Sequence, residues 1–306
     1  MESEEYLAGG AFAPVMFEDN ADPWGWNMRT VGKNYKYADV KTSLRVIERG
    51  DLLTTVESIY DTGKSEVRVA YKLYKDYDYV DVTVNVCWND PGKGLKLEIP
   101  ATDARRFIGQ TSFGTQEYEH DLEQCSHRFC GLESDGEVLA VFKDGTYGCS
   151  VENGKLYLTL LNGSVYCAHP VGNLPIIDEE RFNYYLDTGR HEFSFRLAVC
   201  KEMELESKAA EFIQKPYTLN AYPHGKGEKR EHSPIELSNN NIALTAFRMM
   251  ADGSYMARLI NNYKESAECE CRVFDKTLSL TFGRYEVKTL IYKNGELTQS
   301  ESMLTI

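Results

Sequence analysis

Residues 66–86 read EVRVAYKLYKDYDYVDVTVNV, and the fold follows from how this stretch alternates. In its first part the apolar side chains Val67, Val69, Tyr71 and Leu73 occupy odd positions; in its last part Val80, Val82, Val84 and Val86 occupy even ones. A period of two puts one face of a strand on a core and the other toward water or a second polar layer. Lys75-Asp76-Tyr77-Asp78, between the two runs, is turn-like, so the stretch predicts an antiparallel hairpin.

The same rhythm continues on both sides. It predicts strands over 43–48, 52–60, 95–99, 138–142, 147–151, 156–161 and 192–199. The connections Asp61-Thr62-Gly63, Asp144-Gly145, Asn153-Gly154 and Asn162-Gly163 supply residues that tolerate the positive φ of tight hairpin turns. Strand after strand with such punctuation predicts an all-β antiparallel architecture, a large sandwich or a barrel. One segment departs from it. Over 203–212 the spacing turns helical, with Leu205, Ala209, Phe212 and Ile213 on one stripe, and Pro216 stops the helix. The charged, turn-rich loop from His224 to Pro234 is read as the boundary between a large β-domain, 1–222, and a small C-terminal β-sandwich domain, 223–306. The small domain is predicted to hold strands over 242–249, 255–261, 268–274 and 286–292.

With 42% hydrophobic and 26% charged residues the 306-residue chain has the composition of a soluble globular protein. Its net charge of −13 opposes binding to nucleic-acid phosphates and to an anionic membrane face. No run reaches the roughly 18 apolar residues of a membrane helix. The acidic start Met1-Glu2-Ser3-Glu4-Glu5 is unlike a signal peptide, so a cytoplasmic location is expected. Eight cysteines in this length do not make a disulfide scaffold; Cys269 and Cys271, two apart on one strand face, are expected as reduced, buried thiols.

Few residues ask for chemistry. His120, Cys125, His127 and Cys130 crowd into eleven positions, but the spacing is not that of a structural zinc site and no metal is expected there. Asp178-Glu179-Glu180 is read as a solvated acidic connection. There is no G-x-S-x-G elbow, dinucleotide fingerprint or P-loop. The suggestive excess is aromatic: 12% of residues, with 20 tyrosines. Aromatic rings cover the C–H faces of sugars, yet tyrosine is also a favoured strand residue. Asp22-Pro23-Trp24-Gly25-Trp26 shares this ambiguity, as a sugar platform or as large rings packed at a domain seam.

These residues carry a resemblance. Ala11-Phe12-Ala13-Pro14-Val15 with Asp22-Pro23-Trp24-Gly25-Trp26, Arg45-Val46-Ile47-Glu48-Arg49-Gly50, Leu95-Lys96-Leu97-Glu98-Ile99-Pro100 and Ile108-Gly109-Gln110 resemble the family 38 glycoside hydrolases, the α-mannosidases. So do the runs from Ala140 to Gly148, from Leu156 to Leu161 and from Asp187 to Phe193, then Gln214-Lys215-Pro216-Tyr217, in the family's order. All of them resemble its C-terminal region. That implies a large antiparallel super-sandwich similar to galactose mutarotase, then a short helix and a smaller β-sandwich. It also implies partner domains of the same enzyme, an N-terminal catalytic barrel and a helical bundle, with α-mannosides as substrates. In that barrel an H-x-D motif helps to hold zinc and an aspartate is the nucleophile; no H-x-D occurs in this sequence. No catalytic residue, metal ligand or cofactor is therefore assigned to this chain. Asp22, Trp24, Trp26, Arg181, Tyr184 and Tyr185 are its candidate carbohydrate-binding or domain-seam residues. Two of these positions depart from the family pattern: Tyr184-Tyr185 stands where relatives often have Pro-Arg, and Asn162 where many have arginine.

Three functions compete on these grounds. The leading one is the non-catalytic β-sandwich portion of an α-mannosidase-like hydrolase. The second is a free-standing carbohydrate-binding module. The third is a mutarotase-like epimerase, which needs a histidine facing a carboxylate; His120, His127, His169 and His191 are its candidates.

Overall fold

The computed structural model describes residues 5–19, 36–37, 39–102, 106–112, 114–164, 185–220, 222 and 231–300. The chain divides into two compact units, one formed by Met1–Thr111 with Gln116–Glu202 and the other by Ser112–Thr115 with Met203–Ile306.

The first unit is built from β1 (Ala13–Glu18), β2 (Lys36–Tyr37), β3 (Asp39–Arg49), β4 (Leu53–Asp61), β5 (Glu66–Tyr74), β6 (Tyr79–Trp88), β7 (Lys93–Pro100), β8 (Arg106–Thr111), β9 (Gly114–Tyr118), β10 (Gln124–Cys125), β11 (Phe129–Ser134), β12 (Glu137–Asp144), β13 (Gly148–Glu152), β14 (Lys155–Leu161) and β15 (Gly189–Lys201). Among the described residues the paired strands run antiparallel. They form a nine-stranded sheet, β3-β4-β5-β6-β15-β12-β11-β8-β9, and a six-stranded sheet, β10-β13-β14-β7-β1-β2. The hairpin of the opening sequence is β5–β6, in register from Glu66 opposite Cys87 to Leu73 opposite Val80.

One core joins the inward residues of both sheets. Val67, Val69, Val82, Val84, Phe107, Leu132, Val141 and Phe195 come from the larger sheet; Leu95, Leu97, Ile99, Val151, Leu156 and Leu158 come from the smaller. Two stacked sheets sharing a core are a sandwich. Between β13 and β14, Asn153 (φ 52°) and Gly154 (φ 76°) both take the left-handed backbone that a two-residue hairpin turn requires. Trp88, the third tryptophan, lies in this core.

The second unit opens with a single 3-10 turn leading into helix α1 (Leu205–Ile213), which buries Leu205 and Ala209. Seven strands follow: β16 (Ile235–Leu237), β17 (Ile242–Met249), β18 (Tyr255–Asn261), β19 (Ala267–Val273), β20 (Lys276–Phe282), β21 (Val287–Lys293) and β22 (Glu296–Gln299). A three-stranded sheet, β16-β19-β20, and a four-stranded sheet, β17-β18-β21-β22, enclose Ile242, Leu259, Cys269, Cys271, Val273, Phe282 and Leu290. Cys269 and Cys271 are free thiols inside this core, and burial, then the neighbouring Cys269 sulfur, pushes Cys271 up to about 12. Among the described residues no helix is long and apolar enough to cross a membrane.

Candidate functional site

In the first unit, buried charge marks one candidate place and an open apolar groove another. The first lies on the outer side of the smaller sheet. On β7, Leu95, Leu97 and Ile99 enter the core, so Lys96 and Glu98 must point the other way. Charged residues there belong in water, yet Lys96 is 0% and Glu98 6% exposed. Each is matched. The Lys96 ammonium donates to Glu123 Oε2 and, at 3.2 Å, to Ser150 Oγ, and it lies 5.7 Å from the Phe17 ring centre. The Thr159 hydroxyl donates to the other oxygen of Glu123. Glu98 accepts from Lys155 Nζ at 3.0 Å and from the Tyr157 hydroxyl at 3.0 Å. Two carboxylates whose oxygens already hold ammonium and hydroxyl donors serve as structural anions, since burying a charge demands such partners.

The second place is a groove at the hairpin end of the larger sheet. Its floor is Leu73, Val80 and Leu197. One half, about 690 Å³, is walled by Glu5, Tyr6, Tyr74, Tyr77, Asp78 and Tyr79. The other half, about 640 Å³, is apolar, with Phe12, Leu44, Val56, Tyr60 and Tyr71. Main-chain bonds fix the N-terminal wall: Leu7 pairs with Ala101, Ala8 N–H donates to Pro100 O, and Thr102 N–H donates to Tyr6 O. The Tyr6 hydroxyl donates to Glu137. On the other face of the same strands, Arg196 grips Asp81 with Nε and a terminal nitrogen at 2.7 and 3.1 Å, and lays its guanidinium 3.5 Å from the Tyr79 ring centre. Arg196 and Asp81 are register partners on β15 and β6, so the topology itself assembles this clamp. Burial, then the Asp81 carboxylate, raises the Tyr74 phenol, and burial raises Tyr71 well above the usual phenol range; both remain neutral donors. Tyr71 donates to Ala11 O at 2.8 Å.

Of the residues singled out from sequence, Asp22, Trp24, Trp26, Arg181 and Tyr184 lie outside the described residues, as do Asp178-Glu179-Glu180 and His169. Tyr185 is half-buried. The His/Cys group is spread over different surroundings: His120 lies edge-on to Phe107, His127 edge-on to Tyr147, Cys125 is exposed and Cys130 is buried in the core. His191 contacts the Asp187 carbonyl at 2.8 Å and stacks on Phe193. Among the described residues no three His, Cys, Asp or Glu side chains are placed to hold a metal ion. The groove and the Lys96–Glu123 pair were both missed from sequence. Their one visible signal was Tyr74, Tyr77 and Tyr79 within six residues at a hairpin tip.

Comparison with known proteins places this architecture. Residues 1–169 match the glycosyl hydrolases family 38 C-terminal domain. The chain belongs to this family. A family 38 glycosyl hydrolase protein from Enterococcus faecalis superposes with a TM-score of 0.77 at 10% identity, over 92% of this chain and 40% of that one. An α-mannosidase from Enterococcus faecalis V583 gives 0.73 at 11% identity, over 92% of this chain and 38% of that one. At such identity the likeness is one of fold, and the chain spans about two fifths of the length of these family 38 structures. A search of curated proteins found no match.

Proposed function

We propose that this chain is the non-catalytic β-sandwich portion of an α-mannosidase-like glycoside hydrolase, with the bond-breaking groups and their zinc on other domains of the same enzyme. The match of residues 1–169 to a C-terminal domain of family 38 carries the reading. The buried carboxylates support it, because Glu98 and Glu123 are spent on lysine and hydroxyl partners and Asp19 accepts from the main-chain N–H groups of Gly163 and Ser164. A scaffold also needs a face for its catalytic domain. We place that contact at β3 and the turn after it, where Leu44, Val46, Ile47 and Leu52 stand exposed.

The test has two arms. The 306-residue chain is expected to leave an aryl α-mannoside intact with or without zinc, and zinc-dependent turnover would overturn the reading. Added in trans, it should raise the thermal midpoint of a family 38 catalytic polypeptide. A Leu44→Asp variant should do so less.

A further inference from the structure

We infer that the apolar half of the groove is a binding site for a small uncharged molecule with an alkyl or aromatic body and one hydrogen-bonding group. The inference goes beyond the proposed function and calls on no other domain. The cavity, about 640 Å³, lies within the range of about 300–1,000 Å³ typical of small-molecule sites. Its floor is the core-facing side of β4, β5 and β6. Ser58 stands opposite Val69 and Val56 opposite Tyr71 in the β4–β5 register, and Val69 belongs to the core, so these side chains share the inner face.

The lining is apolar with one unspent polar group. No side chain in it carries a charge. Its hydroxyls are those of Ser58, Tyr60 and Tyr71, and Tyr71 donates its own to Ala11 O at 2.8 Å. Ser58 is 5% exposed, yet its hydroxyl makes no hydrogen bond with any described residue. A buried hydroxyl without a partner costs free energy until water or a ligand supplies one. In an apolar groove wide enough for a ligand, such a group is the polar handle that fixes orientation.

A second wall is held in place before any ligand arrives. Phe12 takes a left-handed backbone, φ 63°, that a bulky residue seldom adopts. Such a conformation persists only where the surroundings fix it. Here the Phe12 ring is fully buried against Tyr71 and Phe195, with ring centres 6.4 and 5.8 Å away, and the Tyr71 bond to Ala11 ties down the residue before it. Prebuilt walls reduce the ordering cost of binding.

The same lining narrows the ligand class. With no lysine or arginine it offers phosphates and acidic sugars no counter-charge. A neutral sugar carries more hydroxyls than this lining can partner and would bury most of them unpaired. A polypeptide segment is the remaining rival occupant, and competition separates it from a small molecule.

Fluorescence titration of the 306-residue chain with N-phenyl-1-naphthylamine, an uncharged aromatic probe with one N–H, tests the assignment. Saturable enhancement is expected. It should be reversed by 1-octanol but not by the same concentration of octanoate, which is charged at about pH 7.5. Ser58→Ala should weaken binding about 2- to 10-fold, as loss of one hydrogen bond does. Leu44→Ser, on the exposed lip of the groove, should weaken it about 2- to 5-fold. Leu219→Ser, at an exposed leucine outside the groove, should change nothing. Circular dichroism of each variant checks that it is folded. No saturable enhancement, no displacement by 1-octanol, equal displacement by octanoate, or undiminished binding by folded Ser58→Ala would each overturn the assignment. So would displacement of the probe by a family 38 catalytic polypeptide, which would give the groove to the domain contact and leave the scaffold reading standing.

Discussion

Lys96 stands in the middle of a strand with its side chain fully out of water, while Leu44, also mid-strand, is 65% exposed. Both sit in strands of the same sandwich, and each is where simple patterning would put the other. The contrast shows what alternation measures. It sorts side chains onto two faces of a strand but says nothing about what lies over each face. On β7 and β14 the face away from the core is itself buried, so its polar residues must satisfy one another: Lys96 with Glu123, Glu98 with Lys155 and Tyr157. At β3 no described residue covers that face, and Leu44 and Val46 stand exposed at the edge of the nine-stranded sheet. Buried charge is costly unless paired, whereas exposed leucine is cheap for the fold and costs solubility instead.

The largest effect should come from breaking the buried pair. Lys96→Ala leaves the Glu123 carboxylate, 3% exposed, with only the Thr159 hydroxyl among these partners. Removing one member of such a pair typically costs about 3–5 kcal/mol. Urea denaturation should show this loss, and the double variant Lys96→Met with Glu123→Leu should recover most of it. A loss of less than about 1 kcal/mol would mean the pair behaves as a surface salt bridge and the layer is wet.

The middle case is the Arg196–Asp81 fork, with side chains 11% and 21% exposed. Arg196→Ala removes two charge-assisted bonds and the contact on Tyr79. About 1–3 kcal/mol is expected from the charged hydrogen bonds. Arg196→Lys should restore only part, since an ammonium lacks the planar fork. Equal stability of the two variants would remove this site from the series.

At the opposite end of the contrast, Leu44→Ser with Val46→Thr should alter unfolding free energy by no more than about 0.5 kcal/mol, as for ordinary surface substitutions. Their effect belongs to association. Light scattering at raised protein concentration should show less self-association than wild type, and a drop in stability of several kcal/mol would mean that the β3 side chains pack in solution.

How far these places could be read from the sequence follows the same logic. The β5–β6 hairpin and helix α1 were legible from their periodicity, and β12, β13 and β14 as apolar runs set between Asp-Gly and Asn-Gly turns, although Val138 to Lys143 on β12 are buried without a break. β8, Arg-Phe-Ile-Gly-Gln-Thr, and β11, Phe-Cys-Gly-Leu-Glu-Ser, were not predicted. Phe107 to Gln110 and Phe129 to Leu132 are buried without a break, so both faces are covered and the period of two vanishes. The run Leu-Lys-Leu-Glu-Ile gave β7 correctly but not the burial of its charges, because Glu123, 27 residues from Lys96, supplies the partner and only topology brings it there. The Arg196 clamp has the same origin. Tyrosine excess was visible, but Tyr79 gains its cation only when β15 sets Arg196 beside Asp81.

The smallest expected effect sharpens the comparison in the second unit, where an anion is held in the open. Glu286 accepts the Gly283 N–H at 2.7 Å and the Lys288 ammonium at 3.0 Å, and with 42% of its side chain exposed it needs neither to remain charged. The Gly283 bond first and Lys288 second hold its carboxyl below the usual glutamate value near 4.5. A depressed carboxylate contributes stability that is complete above the unfolded value and is lost as pH falls through the folded one. The loss should therefore appear only below about pH 4.5. Glu286→Gln can still accept from Gly283 but has no charge to offer Lys288. The difference in thermal midpoint between wild type and this variant should thus be small at pH 7 and close as pH drops to 3, because solvent already screens the pair. A midpoint difference that persists unchanged at pH 3 would show that the carboxylate's charge adds nothing at this turn, leaving its hydrogen bond to the main chain as the whole of its contribution.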